Sequence, residues 1–153
     1  MMSHTNARPK PKVLFLCTGN SCRSQMAEGW ARALKGEVLE AYSAGIETHG
    51  LNPSAVEVMA EAGVDISGHK SKRVDDLKDV PFDFVVTVCG HAHETCPTWL
   101  GGKARVVHVG FDDPPKLAGE LAAQGADETA QLDGYRRVRD EIKAFVEKLP
   151  EWP

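Results

Sequence analysis

The segment Cys17-Thr18-Gly19-Asn20-Ser21-Cys22-Arg23-Ser24 separates a thiol from a guanidinium by five residues. Gly19 and Asn20 tolerate backbone angles that most residues avoid. A loop of this composition ahead of a helix can turn successive peptide N–H groups inward, and the helix start adds free donors of its own. Thr18, Gly19, Asn20, Ser21, Cys22, Arg23 and Ser24 therefore read as a cradle for a tetrahedral oxyanion. Arg23 supplies a two-pronged donor to it. The same field favours the thiolate of Cys17, and Ser24 is placed to donate a hydrogen bond to the sulfur. Cys17 is thus the candidate nucleophile. The plainer reading is a packing cysteine followed by an ordinary turn. The loop lacks the glycine spacing and Gly-Lys-Ser/Thr ending of a nucleotide-binding P-loop.

An acid is the next requirement, because a leaving oxide needs a proton. Gly110-Phe111-Asp112-Asp113-Pro114 offers two aspartates in a loop stiffened by Pro114; taken alone, either fits, and both also fit as solvated loop charges. The other cysteines, Cys89 and Cys96, lie seven apart. On one rigid helix their Cα atoms would be about 10 Å apart along the axis, against roughly 5.5 Å for a disulfide. A bond between them requires a loop or an unwinding helix, and Gly90 and Pro97 weaken the segment at both ends. Together with His91 and His93 the pair has zinc-ligand chemistry but poor zinc spacing. A purely structural role is the third option, and the two histidines also read as surface residues. Cys22 reads as a packing cysteine.

These groups need a scaffold. Lys12–Cys17 is an apolar run of strand length, and Glu37–Ser43, Phe82–Val88 and Ala104–Gly110 are three more. A helix capped by Ser24 is expected to bury Ala27, Trp30, Ala31 and Leu34. A second, started by Pro53, should bury Val56, Met59 and Ala60 and end at Gly63. Val74–Leu77 suits a short helical turn. Phe111–Pro115 is expected to be a loop, because two prolines oppose a regular element. Tyr135, Val138, Ile142, Phe145 and Leu149 mark a closing helix. Strands alternating with helices predict an α/β layer with a mainly parallel sheet. In such a sheet the ligand lies beyond the carboxyl ends of the strands, and Cys17, Cys89 and the Asp112-Asp113 loop each follow a strand.

With 153 residues, a single domain over 12–150 is expected, with residues 1–11 as a disordered tail. Lysine and arginine total 18 against 22 acidic residues, a net charge of -4, which opposes a broad nucleic-acid surface. No apolar run approaches the roughly 18 residues of a membrane span, and the start does not read as a signal peptide. A cytoplasmic monomer is expected, in a compartment where structural disulfides are rare.

The Cys17–Ser24 segment resembles the signature of the low-molecular-weight protein tyrosine phosphatase superfamily, in which this CX5R loop holds the anion. With Gln25-Met26-Ala27-Glu28 following, and Tyr42-Ser43-Ala44-Gly45-Ile46-Glu47-Thr48-His49-Gly50 and Asn52-Pro53 further on, the chain is similar to the thioredoxin-coupled arsenate reductase branch. The likeness runs from about Lys12 to about Leu149. It implies a three-layer α/β sandwich around a mainly parallel four-stranded sheet, and arsenate as substrate with phosphate and sulfate as competitors. It also implies Asp113, directly before the proline, as the acid, with Asp112 orienting the loop. Cys89 and Cys96 would form a redox pair. Cys17 would bond arsenic, Cys89 would displace arsenite to give a Cys17–Cys89 disulfide, and Cys96 would pass it on for reduction by thioredoxin.

Asn20 and Ser43 are implied as supports of the loop. In some relatives the matching residues join an aspartate in binding potassium. Lys72 stands at that aspartate's place, and an ammonium repels a cation, so potassium activation is not expected. No metal and no tightly bound cofactor is implied. The alternative is a tyrosine or aryl phosphatase using Cys17, Arg23 and Asp113, although Pro115-Lys116 lacks the aromatic that such relatives carry after the acid. A non-catalytic oxyanion binder is the third reading.

Overall fold

The computed structural model describes residues 10–102 and 104–151. The tail expected over residues 1–11 falls outside them as far as residue 9. Strand β1 is Lys12–Cys17, and Val13 to Leu16 have no exposed surface. Helix α1 is Arg23–Lys35, β2 is Glu40–Gly45 and α2 is Pro53–Glu61. A 3-10 turn at Val74–Leu77 precedes β3, Phe84–Thr87. Two short helices follow, α3 at Gly90–Glu94 and α4 at Thr98–Gly101, before β4 at Arg105–His108. Helices α5, Pro114–Ala123, and α6, Glu128–Glu147, complete the order.

The four strands lie in the order β2-β1-β3-β4, all parallel. The expected α/β sandwich around a parallel four-stranded sheet is therefore what the chain forms. From β1 the chain goes outward to β2, then crosses back to β3 on the other side of β1. Right-handed crossovers in opposite directions place helices on opposite faces. The loops after β1 and β3 consequently diverge and leave a crevice at their carboxyl ends. Residues 18–22 and Cys89 flank that crevice.

Several local expectations are corrected. Helix α5 begins at Pro114, with Pro115 inside its first turn. The first N–H groups of a helix have no intrahelical partner, so the prolines remove nothing there. Ser24 is not the cap of α1; Cys22 takes the cap position and Ser24 lies buried in the first turn. Leu34 is exposed, because α1 is buried only from Ser24 to Ala31 and its last turn emerges from the core. Helix α2 buries Ala55, Val58 and Met59 rather than the face through Val56 and Ala60, with Asn52 Oδ1 capping it by accepting from the Ser54 and Ala55 N–H groups. Strand β2 starts at Glu40, beyond a turn in which Val38 is exposed. Helix α6 closes the core with Tyr135, Val138, Ile142 and Val146, and Trp30 of α1 donates its indole N–H to the Arg139 carbonyl. Among the described residues, no helix is long and apolar enough to cross a membrane.

Candidate active site

The loop after β1 is held from behind by its own carbonyls. Cys17 O accepts from Ile46 N, Thr18 O from Glu47 N, and Gly19 O from His49 N. Asn20 O accepts from Gln25 Nε2, Ser21 O from Asn52 N, and Cys22 O from Met26 N. In a trans peptide the N–H points opposite the C=O. With these oxygens tied outward, the N–H groups from Thr18 to Arg23 are turned toward the cavity. Asn20 makes the turn possible with a left-handed φ of 48°, a conformation that asparagine tolerates better than most residues.

The cavity measures about 390 Å³ and is lined by Cys17, Thr18, Gly19, Ser21, Cys22 and Arg23, with His49, Asn52, Asp113 and Pro115 around the mouth. Cys17 Sγ lies 2.8 Å from Ser24 Oγ, and Asn20 Nδ2 donates to the same oxygen at 2.9 Å. Ser24 Oγ accepts from Asn20 and keeps its own proton free to donate to the sulfur. Arg23 is largely buried; Nη1 donates to Phe111 O at 3.0 Å and Nη2 lies 3.7 Å from Asp113 Oδ1. The two aspartates are separated by this geometry. Asp113 faces the cavity, whereas Asp112 accepts from Arg137 of α6 at 2.9 Å. Burial, reinforced by the charge of Cys17, holds the Cys22 thiol far above the ordinary cysteine range, which fits its reading as a packing residue.

The layer behind the cradle contains residues to which the sequence assigned little. Gln25 is fully buried and touches Asn20 twice. Ser43 donates to Glu28 Oε1 at 2.5 Å, and Glu28 in turn faces Arg32 at 2.9 Å and the Lys72 ammonium at 3.9 Å. Lys72 joins this group to the cradle by donating its backbone N–H to Asn20 Oδ1 at 2.8 Å. Burial lowers the Lys72 ammonium below the ordinary lysine value, and Glu28 opposes that shift. Among the described residues, no group of three or more histidine, cysteine, aspartate or glutamate side chains is arranged to hold a metal ion.

The three-cysteine disulfide relay must be corrected. All four cysteines are free, and no pair stands near disulfide distance. Each of the three sulfurs is engaged elsewhere. Cys17 is held by Ser24. Cys89 sits at the cap of α3, 3.4 Å from both Thr18 Oγ1 and the Ala92 N–H. Cys96 lies in the break between α3 and α4, with its sulfur 3.9 Å from its neighbour's Pro97 carbonyl. Burial also raises the Cys96 thiol, which disfavours the thiolate that disulfide exchange requires.

The family model of the low molecular weight phosphotyrosine protein phosphatases matches residues 12–151. An arsenate reductase of Halalkalibacterium halodurans is 49% identical over 142 residues, 93% of this chain and 96% of that protein. One from Staphylococcus aureus is 47% identical over 140 residues, 92% and 96% of the two chains. A solved arsenate reductase in its phosphate-binding state superposes with a TM-score of 0.73 at 32% identity, covering 91% of this chain and 95% of that one. The signature loop, the sheet order and these likenesses agree: the chain belongs to the low molecular weight phosphotyrosine protein phosphatase family, in the thioredoxin-coupled arsenate reductase branch expected from its sequence.

Proposed function

We propose that the chain, through a single domain over residues 12–150, reduces arsenate to arsenite. The observation that carries this is the cavity with Cys17 Sγ in its wall and the six carbonyls of residues 17–22 bonded away from it. Such a site suits a small tetrahedral dianion. The arsenate reductases of comparable length support arsenate as that anion, and phosphate and sulfate share its shape as competitors.

Cys17 Sγ attacks arsenic, an S–As bond forms and an As–O bond breaks. Asp113 protonates the departing oxygen, which leaves as water. Arg23, Ser24 and the N–H groups of Thr18, Gly19, Asn20, Ser21 and Cys22 hold the remaining oxygens. Asn20 fixes the loop, and Ser43 supports it through Glu28 and Lys72. One thiol of thioredoxin, a dithiol, attacks Cys17 Sγ, the S–As bond breaks and its electron pair leaves with arsenic as arsenite; the second thiol then displaces Cys17 from the mixed disulfide, so arsenate and the dithiol give arsenite, a disulfide and water. No bound metal or cofactor enters the balance. Four unpaired cysteines suit a reducing cytoplasm, in which the chain acts as a monomer.

The test is arsenate-dependent NADPH consumption with thioredoxin and thioredoxin reductase, run on wild type and Cys17→Ser. Turnover by wild type and none by the variant is the expected result. A wild type that ignores arsenate but hydrolyses an aryl phosphate would replace this reading with a phosphatase.

A further inference from the structure

Four consecutive residues outside the cradle converge on its back. His69 Nδ1 meets Gln25 Oε1 at 3.0 Å, and Lys70 O accepts from Gln25 Nε2 at 3.0 Å. Ser71 Oγ donates to Gly19 O at 2.8 Å. The Lys72 N–H bonds Asn20 Oδ1, while its carbonyl accepts from Gly45 N at 2.8 Å. This strap has no helical or strand periodicity, and its contacts with Gln25, Gly19 and Asn20 span 44 to 52 positions of sequence.

Gln25 is where the strap meets the cradle. Its Nε2 faces three oxygens, Asn20 O at 3.2 Å, Asn20 Oδ1 at 3.0 Å and Lys70 O. Only the amide nitrogen can donate there, so the amide orientation is fixed. Its oxygen then faces His69, whose Nδ1 must carry the proton. Asn20 is fully buried and is the one non-glycine with positive φ among the described residues. A residue in that conformation persists where its surroundings hold it.

We propose that Gln25, braced by residues 69–72, is a positioning residue that sets the anion affinity of the cradle by holding Asn20 in its left-handed turn. This rests on the reading of the cradle as an oxyanion site. Gln25 touches no substrate; it acts through the carbonyl of the Asn20–Ser21 peptide and the Asn20 side-chain oxygen, while Ser71 holds the Gly19–Asn20 peptide. Losing its donated bonds lets the Asn20–Ser21 peptide rotate and takes N–H groups off the anion.

The experiment measures protection of Cys17 from iodoacetamide by inorganic phosphate, read by mass spectrometry on the Cys17 peptide, alongside thermal melting. In Gln25→Met the phosphate concentration for half-protection rises about tenfold, and in Ser71→Ala, which removes fewer bonds, about threefold. A folded Gln25→Met with wild-type half-protection overturns the proposal, even if its melting temperature falls, since that pattern belongs to a purely structural role. If Gln25→Met does not fold, Ser71→Ala decides, and unchanged half-protection in it overturns the proposal. A wild type that phosphate does not protect removes the anion reading first, and this assignment with it, before any substitution is compared.

Discussion

Two segments follow neighbouring strands and flank one crevice, yet they are built differently. The loop after β1 has every carbonyl from Cys17 to Cys22 bonded behind it, and Asn20, Ser24 and Gln25 at its centre have no exposed surface. The segment after β3 consists of two short helices, with His91, His93, Glu94 and Thr95 exposed. It is tied to the sheet side by hydrogen bonds between Cys89 and Thr18 and between His93 and Thr87, and by Ala92 and Leu100 in the core. A site that must stabilise developing charge gains from donors that do not reorganise. Segments of low local stability have exposed backbone and few buried contacts. The first segment therefore has the build of a fixed electrostatic frame, and the second that of a part that opens at small cost.

Substitutions can break this contrast. The largest effect is expected from Cys17→Ser, which should remove arsenate turnover in the coupled thioredoxin assay. Asp113→Asn should leave phosphate protection of Cys17 close to wild type and slow arsenate turnover about 10²-fold, the low end for a general acid. Gly45→Ala attacks the frame from below. A Cβ there would lie 2.3 Å from Glu47 O and 2.7 Å from both Asn20 N and Thr18 O, all backbone atoms that cannot swing aside. Overpacking of this type costs about 1–3 kcal/mol, to be read as a lower melting temperature together with weaker phosphate protection. The smallest effect is expected on the other segment, where His91→Ala, at an exposed position of α3, should change stability by no more than about 0.5 kcal/mol by denaturant titration. Hydrogen exchange sharpens the contrast directly: amides of residues 24–31 should exchange far more slowly than those of residues 90–95. Comparable rates would erase the distinction.

The frame was legible in the sequence to the extent that its chemistry is local. Cys17, Arg23 and Ser24 act within one turn of each other, and strand β1 announces itself as an unbroken apolar run. The strap at 69–72 was not legible, because much of its work is done by backbone groups over long sequence separations, and peptide N–H and C=O groups carry no residue signature. Pro114 and Pro115 were misread as helix breakers, since their effect depends on whether they fall in a first turn or an interior. Gly45, the last residue of β2, is also the contact floor of the cradle, a role set by backbone atoms of Thr18, Asn20 and Glu47 that its own residue type does not announce. The cysteine relay, implied by the family resemblance, failed for a related reason: a likeness carries residue types from one chain to another, whereas the partners of Cys17, Cys89 and Cys96 are set by tertiary structure.

One consequence follows from six carbonyls bonded away from the cavity by donors of the chain itself. A receptor whose donors are aimed by the backbone selects on shape and charge, so tetrahedral anions of the same charge and nearly the same size compete on concentration. For the proposed reaction, discrimination between arsenate and abundant phosphate then falls after docking, in how readily the central atom accepts a sulfur and parts with an oxygen. Phosphate becomes a tenant that blocks the room without being consumed, and the effective arsenate affinity in a cell tracks its phosphate level.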